Sequence, residues 1–243
     1  VDSVGPIRDC IPSTRTPMSA HERTGLVCAS LCALNGAFVP AVAKLTTNAG
    51  EPLFVAMLTT WFGAAAAAAL LLWRRRWRDL FASQHLPGLL AIGTLGTGVA
   101  FLLFYQGASR SSAIETVLCL QIEPAYSLVL AWLVLGHRPG ARRVIATALL
   151  LGGIALAVGT HGIQGSAGVW FLLITPLAWQ LSHLVVLRYL IGVAPDLLTA
   201  ARYLFGAVVL TILWLAAGGV RTVPSAGVLL PQLPLLALQG IVL

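Results

Sequence analysis

Apolar residues run through this chain in long unbroken blocks separated by short polar turns. The blocks are Leu26–Thr46, Leu53–Trp73, Leu86–Tyr105, Ala113–Leu135, Val144–Gly159, Val169–Leu187 and Leu197–Ala217. A further block begins near Gly227 and is still running at Leu243. Each full block approaches the ~20 residues that cross a hydrocarbon core at ~1.5 Å per residue. In lipid, only helices and closed barrels satisfy every backbone group, and barrel strands alternate apolar with polar positions. Continuous runs therefore predict helices, and membrane helices tolerate the Gly and Pro found inside them. The expected fold is all-α and polytopic, with seven crossings and part of an eighth.

Composition sharpens this reading. Hydrophobic residues make up 58% of the 243 residues, charged residues only 9%, and the mean hydropathy is +0.89. A soluble domain carries about a quarter charged residues, so this chain lacks a surface that water would solvate. The formal charge of +7 is not spread evenly. Arg74, Arg75, Arg76 and Arg78 follow the second block, Arg138, Arg142 and Arg143 follow the fourth, and Arg188 ends the sixth. Arg8, Arg15 and Arg23 precede the first. The alternate turns hold only Lys44, Arg110 and Arg221. The positive-inside bias places residues 1–25 in the cytoplasm, with Met18 a candidate start, and the chain in the cytoplasmic membrane. Basic runs beside a span set topology and anchor headgroups, which removes the case for nucleic acid. Cys28 and Cys32 lie one turn apart and Cys119 lies mid-block, as small packing residues rather than a disulfide framework.

The chain also repeats itself. Pro52, Phe62, Gly63 and Ala64 match Pro195, Phe205, Gly206 and Ala207 at an offset of 143. Lys44 matches Arg188, Leu86-Pro87 matches Leu230-Pro231 and Gly96 matches Gly240, each at 144. Five blocks precede the repeat. Because five is odd, the second unit enters the membrane from the opposite face. The expected division is a first unit at 26–160, a linker at 161–168 and an incomplete second unit at 169–243. The expectation is that the chain stops before the counterparts of Ala100 to Gly159. A stripe of small residues, Gly63–Ala69, would allow a second copy to approach closely.

Four segments resemble the EamA-type repeat of the drug/metabolite transporter superfamily. They are Asn35-Gly36 followed by Lys44, Glu123-Pro124 through Leu135-Gly136-His137-Arg138, Ala178-Trp179 to Arg188, and Thr199-Ala200-Ala201-Arg202-Tyr203. His137 departs from the family's glutamate, and Thr59 stands where the family often carries arginine. The resemblance covers roughly residues 26–243. It implies a ten-helix carrier of small solutes, often an exporter.

Charged residues inside a bilayer are costly and mark functional candidates. Glu123 lies mid-block directly before Pro124, which removes the amide that would bond the Leu120 carbonyl and so favours a kink. A carboxyl there either contacts solute or exchanges a proton, or it bonds a neighbouring helix. Glu115 lies eight residues earlier, about 12 Å away along a shared broad face. Arg202 lies deep in the seventh block and is expected to pair with Glu123 or with an anionic group. Trp179, Gln180 and His183 in the sixth block, with Tyr105 and Gln106 ending the third, could line a pocket or pack helices. Lys44 and Arg188 occupy matching block ends, where snorkelling is the ordinary role.

Enzyme and cofactor motifs are absent from the sequence. His21-Glu22 is not continued to a zinc motif, and there is no nucleophile elbow, no P-loop and no metal-spaced Cys/His cluster. The expected function is a secondary carrier that needs no cofactor and exposes a midplane site to each side in turn. The rivals are a membrane enzyme acting on a lipid-linked substrate and a non-transporting membrane subunit or inactive fragment.

Overall fold

The computed structural model describes residues 20–47, 50–81, 84–136, 138–161 and 167–241. Arg8, Arg15, Met18 and His137, each singled out in the sequence, lie outside the described residues. The described residues are helical throughout, joined by short turns. Helix α1 runs over Ala20–Thr47 and α2 over Pro52–Trp73. The third block is one rod in three parts: α3 (Leu86–Gly93), a wide π turn (Thr94–Val99) and α4 (Ala100–Arg110). The fourth block is two helices, α5 (Ala113–Leu120) and α6 (Glu123–Leu135). Then follow α7 (Ala141–His161), α8 (Ala167–Tyr189) and α9 (Pro195–Ala216). The last block is broken into α10 (Ala226–Leu229), a tight turn at Leu230–Gln232 and α11 (Leu233–Ile241).

Six of these rods are each long and apolar enough to cross a membrane, among the described residues. The block expected at Val144–Gly159 lies within α7, with Arg142 and Arg143 in its first turn. The third rod outruns the expected Tyr105 boundary, because Gln106 to Arg110 continue the helix. Large apolar side chains point outward, among them Leu31, Leu34 and Phe38 on α1 and Trp132, Leu133, Leu149 and Leu156 on α6 and α7. On a soluble protein such a surface would aggregate; in a bilayer it faces hydrocarbon.

Local chemistry explains the helix ends. Glu51 accepts from the amides of Leu53 (3.0 Å) and Phe54 (2.7 Å), and Pro52 follows in the first turn, so α2 starts there. Ser112 and Glu115 form a reciprocal capping box at the start of α5. Gly136 adopts φ 67°, the left-handed region that glycine tolerates, and closes α6.

Helices α2 and α9 form the central pair. Each is crossed closely by a further rod, α2 by α11 and α9 by α3. The Cα of Gly240 in α11 sits against Thr59, Phe62 and Gly63 of α2, so that a Cβ there would strike the Thr59 carbonyl. Gly93 in α3 sits against Ala201, Phe205 and Gly206 of α9, where an added Cβ would come 2.6 Å from the Phe205 Cβ. Phe62-Gly63 and Phe205-Gly206 are the pair matched in sequence, so one crossing is built twice. The counterpart of Gly240 in this packing is Gly93, not Gly96 as the sequence offset implies. Three residues are nearly one helical turn, so both glycines share a face and a linear match cannot separate them. The crossing takes up the start of the small-residue stripe: Gly63 is buried against Gly240 and Tyr203 and Ala64 is buried too, whereas Ala65 and Ala69 are exposed.

The end of the molecule that carries Arg74 is tied by charge. Arg74 Nη1 meets Asp196 Oδ2 at 3.1 Å and Arg76 Nη1 meets Asp196 Oδ1 at 3.4 Å, while the Asp196 side chain is only 7% exposed. These arginines join the end of α2 to the start of α9. Beneath them lies an apolar cluster that includes Leu71, Leu80, Leu89, Leu190 and Leu197.

Candidate functional site

The site begins at the interruption between α5 and α6. Pro124 has no amide, so the chain changes to tighter spacing just before it: the amides of Gln121 and Ile122 bond the carbonyls of Leu118 (3.2 Å) and Cys119 (3.3 Å). Glu123 is the first residue after the break and is half-buried. Gln180 of α8 donates from Nε2 to Glu123 Oε1 at 2.8 Å.

Glu123 borders a cavity of about 440 Å³. Its walls are α1 (Ala33, Gly36, Ala37, Val39, Pro40), α5 (Val117, Leu120), the break at Gln121 and Trp179 of α8. That volume suits a small organic solute. Glu123 is the one charged residue in this lining. Trp179 stands 6.2 Å from Phe104, ring centre to ring centre, and Phe104 stands 5.2 Å from Tyr105. Behind Trp179 is a second space of about 40 Å³, walled by Thr59, Phe101, Phe104, Tyr105, Tyr203, Gln239 and Gly240. Val39 and Trp179 border both spaces, so the two adjoin.

The structure gathers some of the sequence candidates and separates others. Glu123, Gln180 and Trp179 meet at the larger cavity, and Tyr105 is buried in the wall of the smaller. Arg202 does not pair with Glu123: its Nη2 donates to the Gly96 carbonyl at 3.3 Å, and no ion pair among the described residues joins the two. The physical reason is the π turn, whose wide winding leaves Gly96 beside α9. Glu115 faces its own helix end rather than Glu123; its Oε2 accepts the Ser112 amide at 2.7 Å. His183 is exposed and lines neither space. Arg188 is exposed at the end of α8. Lys44 does not merely snorkel. Its Nζ donates to the carbonyls of Ala108 (3.1 Å) and Ser109 (3.2 Å), binding α1 to the last turn of α4. Gln106 serves the same region by accepting from Arg110, which also stacks 5.5 Å over Phe171.

Sequence reasoning missed Gln239 entirely and noted Thr59 only as a departure. Thr59 had a signal, since the offset of 143 sets it opposite Arg202. Gln239 had one too, as one of two amides, with Gln232, in the last apolar block. Both are buried, and Thr59 Oγ1 and Gln239 Nε2 have no hydrogen-bond partner.

The family model described as EamA-like transporter family matches residues 23–159, more than half of the chain. No curated protein and no solved structure matches it.

Proposed function

The chain belongs to the EamA-like transporter family, and from that premise we propose that it is a secondary carrier, an exporter of small metabolites or drugs, working by alternating access. The observation that carries this reading is the cavity bordered by Glu123, half-buried between α1, α5 and α8, with Gln180 holding its carboxylate. A single carboxylate in an otherwise uncharged lining either contacts solute or exchanges a proton as the cavity changes sides.

The units at 26–160 and 169–243 supply the two halves that rock. Their shared crossing, Gly240 on Phe62-Gly63 and Gly93 on Phe205-Gly206, is the pivot in this reading. The Asp196 bridges to Arg74 and Arg76 then close one end, and opening that end requires their release. By the arginine bias that end is cytoplasmic, as is the N-terminus, in the cytoplasmic membrane.

The test is growth protection. Cells expressing the chain are challenged with toxic amino acids, nucleosides, dyes and drugs, beside cells expressing Glu123→Gln. Protection against one class that the Gln variant loses is the expected result. Equal survival with both, when both reach the membrane, would remove Glu123 from the mechanism.

A further inference from the structure

The smaller space behind Trp179 has a chemistry of its own. It lies where α1, α2, α4, α8, α9 and α11 converge. No Asp, Glu, Lys or Arg lines it. Two of its wall residues nevertheless carry buried polar atoms without partners: Thr59 Oγ1, on a residue 2% exposed, and Gln239 Nε2, on a residue 5% exposed. The Thr59 hydroxyl neighbours the Tyr105 phenol, but no hydrogen bond of ordinary geometry reaches its Oγ1. Gln239 spends one end of its amide on Thr46, whose Oγ1 lies 3.3 Å from Oε1. Whichever way that amide is turned, its other end remains unpaired. Buried polar atoms are almost always satisfied, so two on residues that wall one 40 Å³ space point to a guest.

The guest's chemistry follows from the walls. A charged group would be stranded there without a counter-ion. A hydroxyl both donates and accepts, so it suits Thr59 and either face of Gln239. The volume admits such a group, since one water needs about 10–15 Å³. The adjoining larger cavity offers the opposite: Glu123 with no basic residue in the lining, together with the indole of Trp179. A carboxylate and an indole both attract an ammonium.

We propose that the two spaces form one solute site, and that its solute is an amphipathic amine with an ammonium at Glu123 and a hydroxyl at Thr59 and Gln239. This assignment rests on the carrier reading and names its substrate class. The apolar body lies in the larger cavity between the two ends, against Val39 and Trp179, which border both spaces.

Two probes that differ by one hydroxyl test it: tyramine and phenethylamine, titrated calorimetrically against the whole chain in lipid nanodiscs. The expected result is about tenfold or more in favour of tyramine, the worth of one buried hydrogen bond. Thr59→Val and Gln239→Leu should each shrink that preference while phenethylamine still binds, which also shows that the variants fold. Glu123→Gln should weaken both amines. The comparison within the unmodified chain needs no variant. If phenethylamine binds in a Glu123-dependent way and tyramine gains nothing, the inner subsite is wrong and the carrier reading stands. If the preference survives both inner variants, the hydroxyl lies elsewhere and the assignment falls. If neither amine binds, the substrate class and the role given to Glu123 fall together.

Discussion

Gln180 reaches across 57 positions of chain to hold Glu123, donating to its Oε1 at 2.8 Å. The bond ties α8 to the break in the fourth block. It thereby links the outer cavity to the rod that also carries Trp179. A hydrogen bond to a carboxylate is worth about 1.5–3 kcal/mol, more than a neutral one.

Replacing Gln180 with Leu removes the donor and keeps the bulk. Flux of whichever solute the growth screen identifies should fall about tenfold, with the chain still reaching the membrane. Gln180→Glu should be worse, since it sets a second carboxylate beside the first. Unchanged flux in both variants would show that the bond packs helices and does not serve the site.

The glycine crossings predict a sharp contrast in stability. Gly240→Ala drives a Cβ into the Thr59 carbonyl, backbone that has no rotamer to yield. The cost should be about 1–3 kcal/mol, read as a lower Tm in detergent. Gly63→Ala should behave alike, its Cβ coming 2.7 Å from the Gly240 carbonyl. Gly152→Ala in α7 meets nothing within 4 Å and should leave Tm unchanged or raise it slightly. Equal behaviour of the three variants would contradict the crossing.

Asp196 is almost covered, whereas Arg74 is 54% exposed. Asp196→Asn leaves two guanidinium groups without their shared partner and should destabilise the chain by about 1–2 kcal/mol. Arg74→Gln should cost less, because Arg76 still reaches the carboxylate at 3.4 Å. The gap between unmodified chain and Asp196→Asn should narrow in 1 M salt, where charges at this end are screened within ~3 Å. A gap that does not respond to salt would mean that shape, not charge, holds the end together.

Lys44 bonds the carbonyls of Ala108 and Ser109, in the last turn of α4, where the helix is electronegative. Lys44→Met should lower Tm, by about 1 kcal/mol of stability, and Lys44→Arg should recover most of it. A purely snorkelling lysine would give no loss in the Met variant.

The long blocks were legible because hydrocarbon imposes one rule on every residue it touches, and that rule is local. The interruption at Glu123-Pro124 was legible for the same reason, since a missing amide acts on its own helix. The doubled crossing was half legible. Phe62-Gly63 and Phe205-Gly206 aligned at the right offset, but the third rod was placed one turn away, on Gly96. Partners are another matter. That Gln180 meets Glu123 and that Arg202 meets the Gly96 carbonyl depend on how rods are rotated against one another. No pattern along one rod records that rotation. Gln239 stayed hidden because its surroundings come from five other helices.

The π turn at Thr94–Val99 has a consequence for phase. A wide turn holds one residue more than the helix around it, and each residue advances the winding by about 100°. Everything beyond it, Phe101, Phe104 and Tyr105 included, faces where it does because of that surplus residue. Shortening the turn by one would leave composition and hydropathy almost untouched and swing those three rings away from the small space they wall.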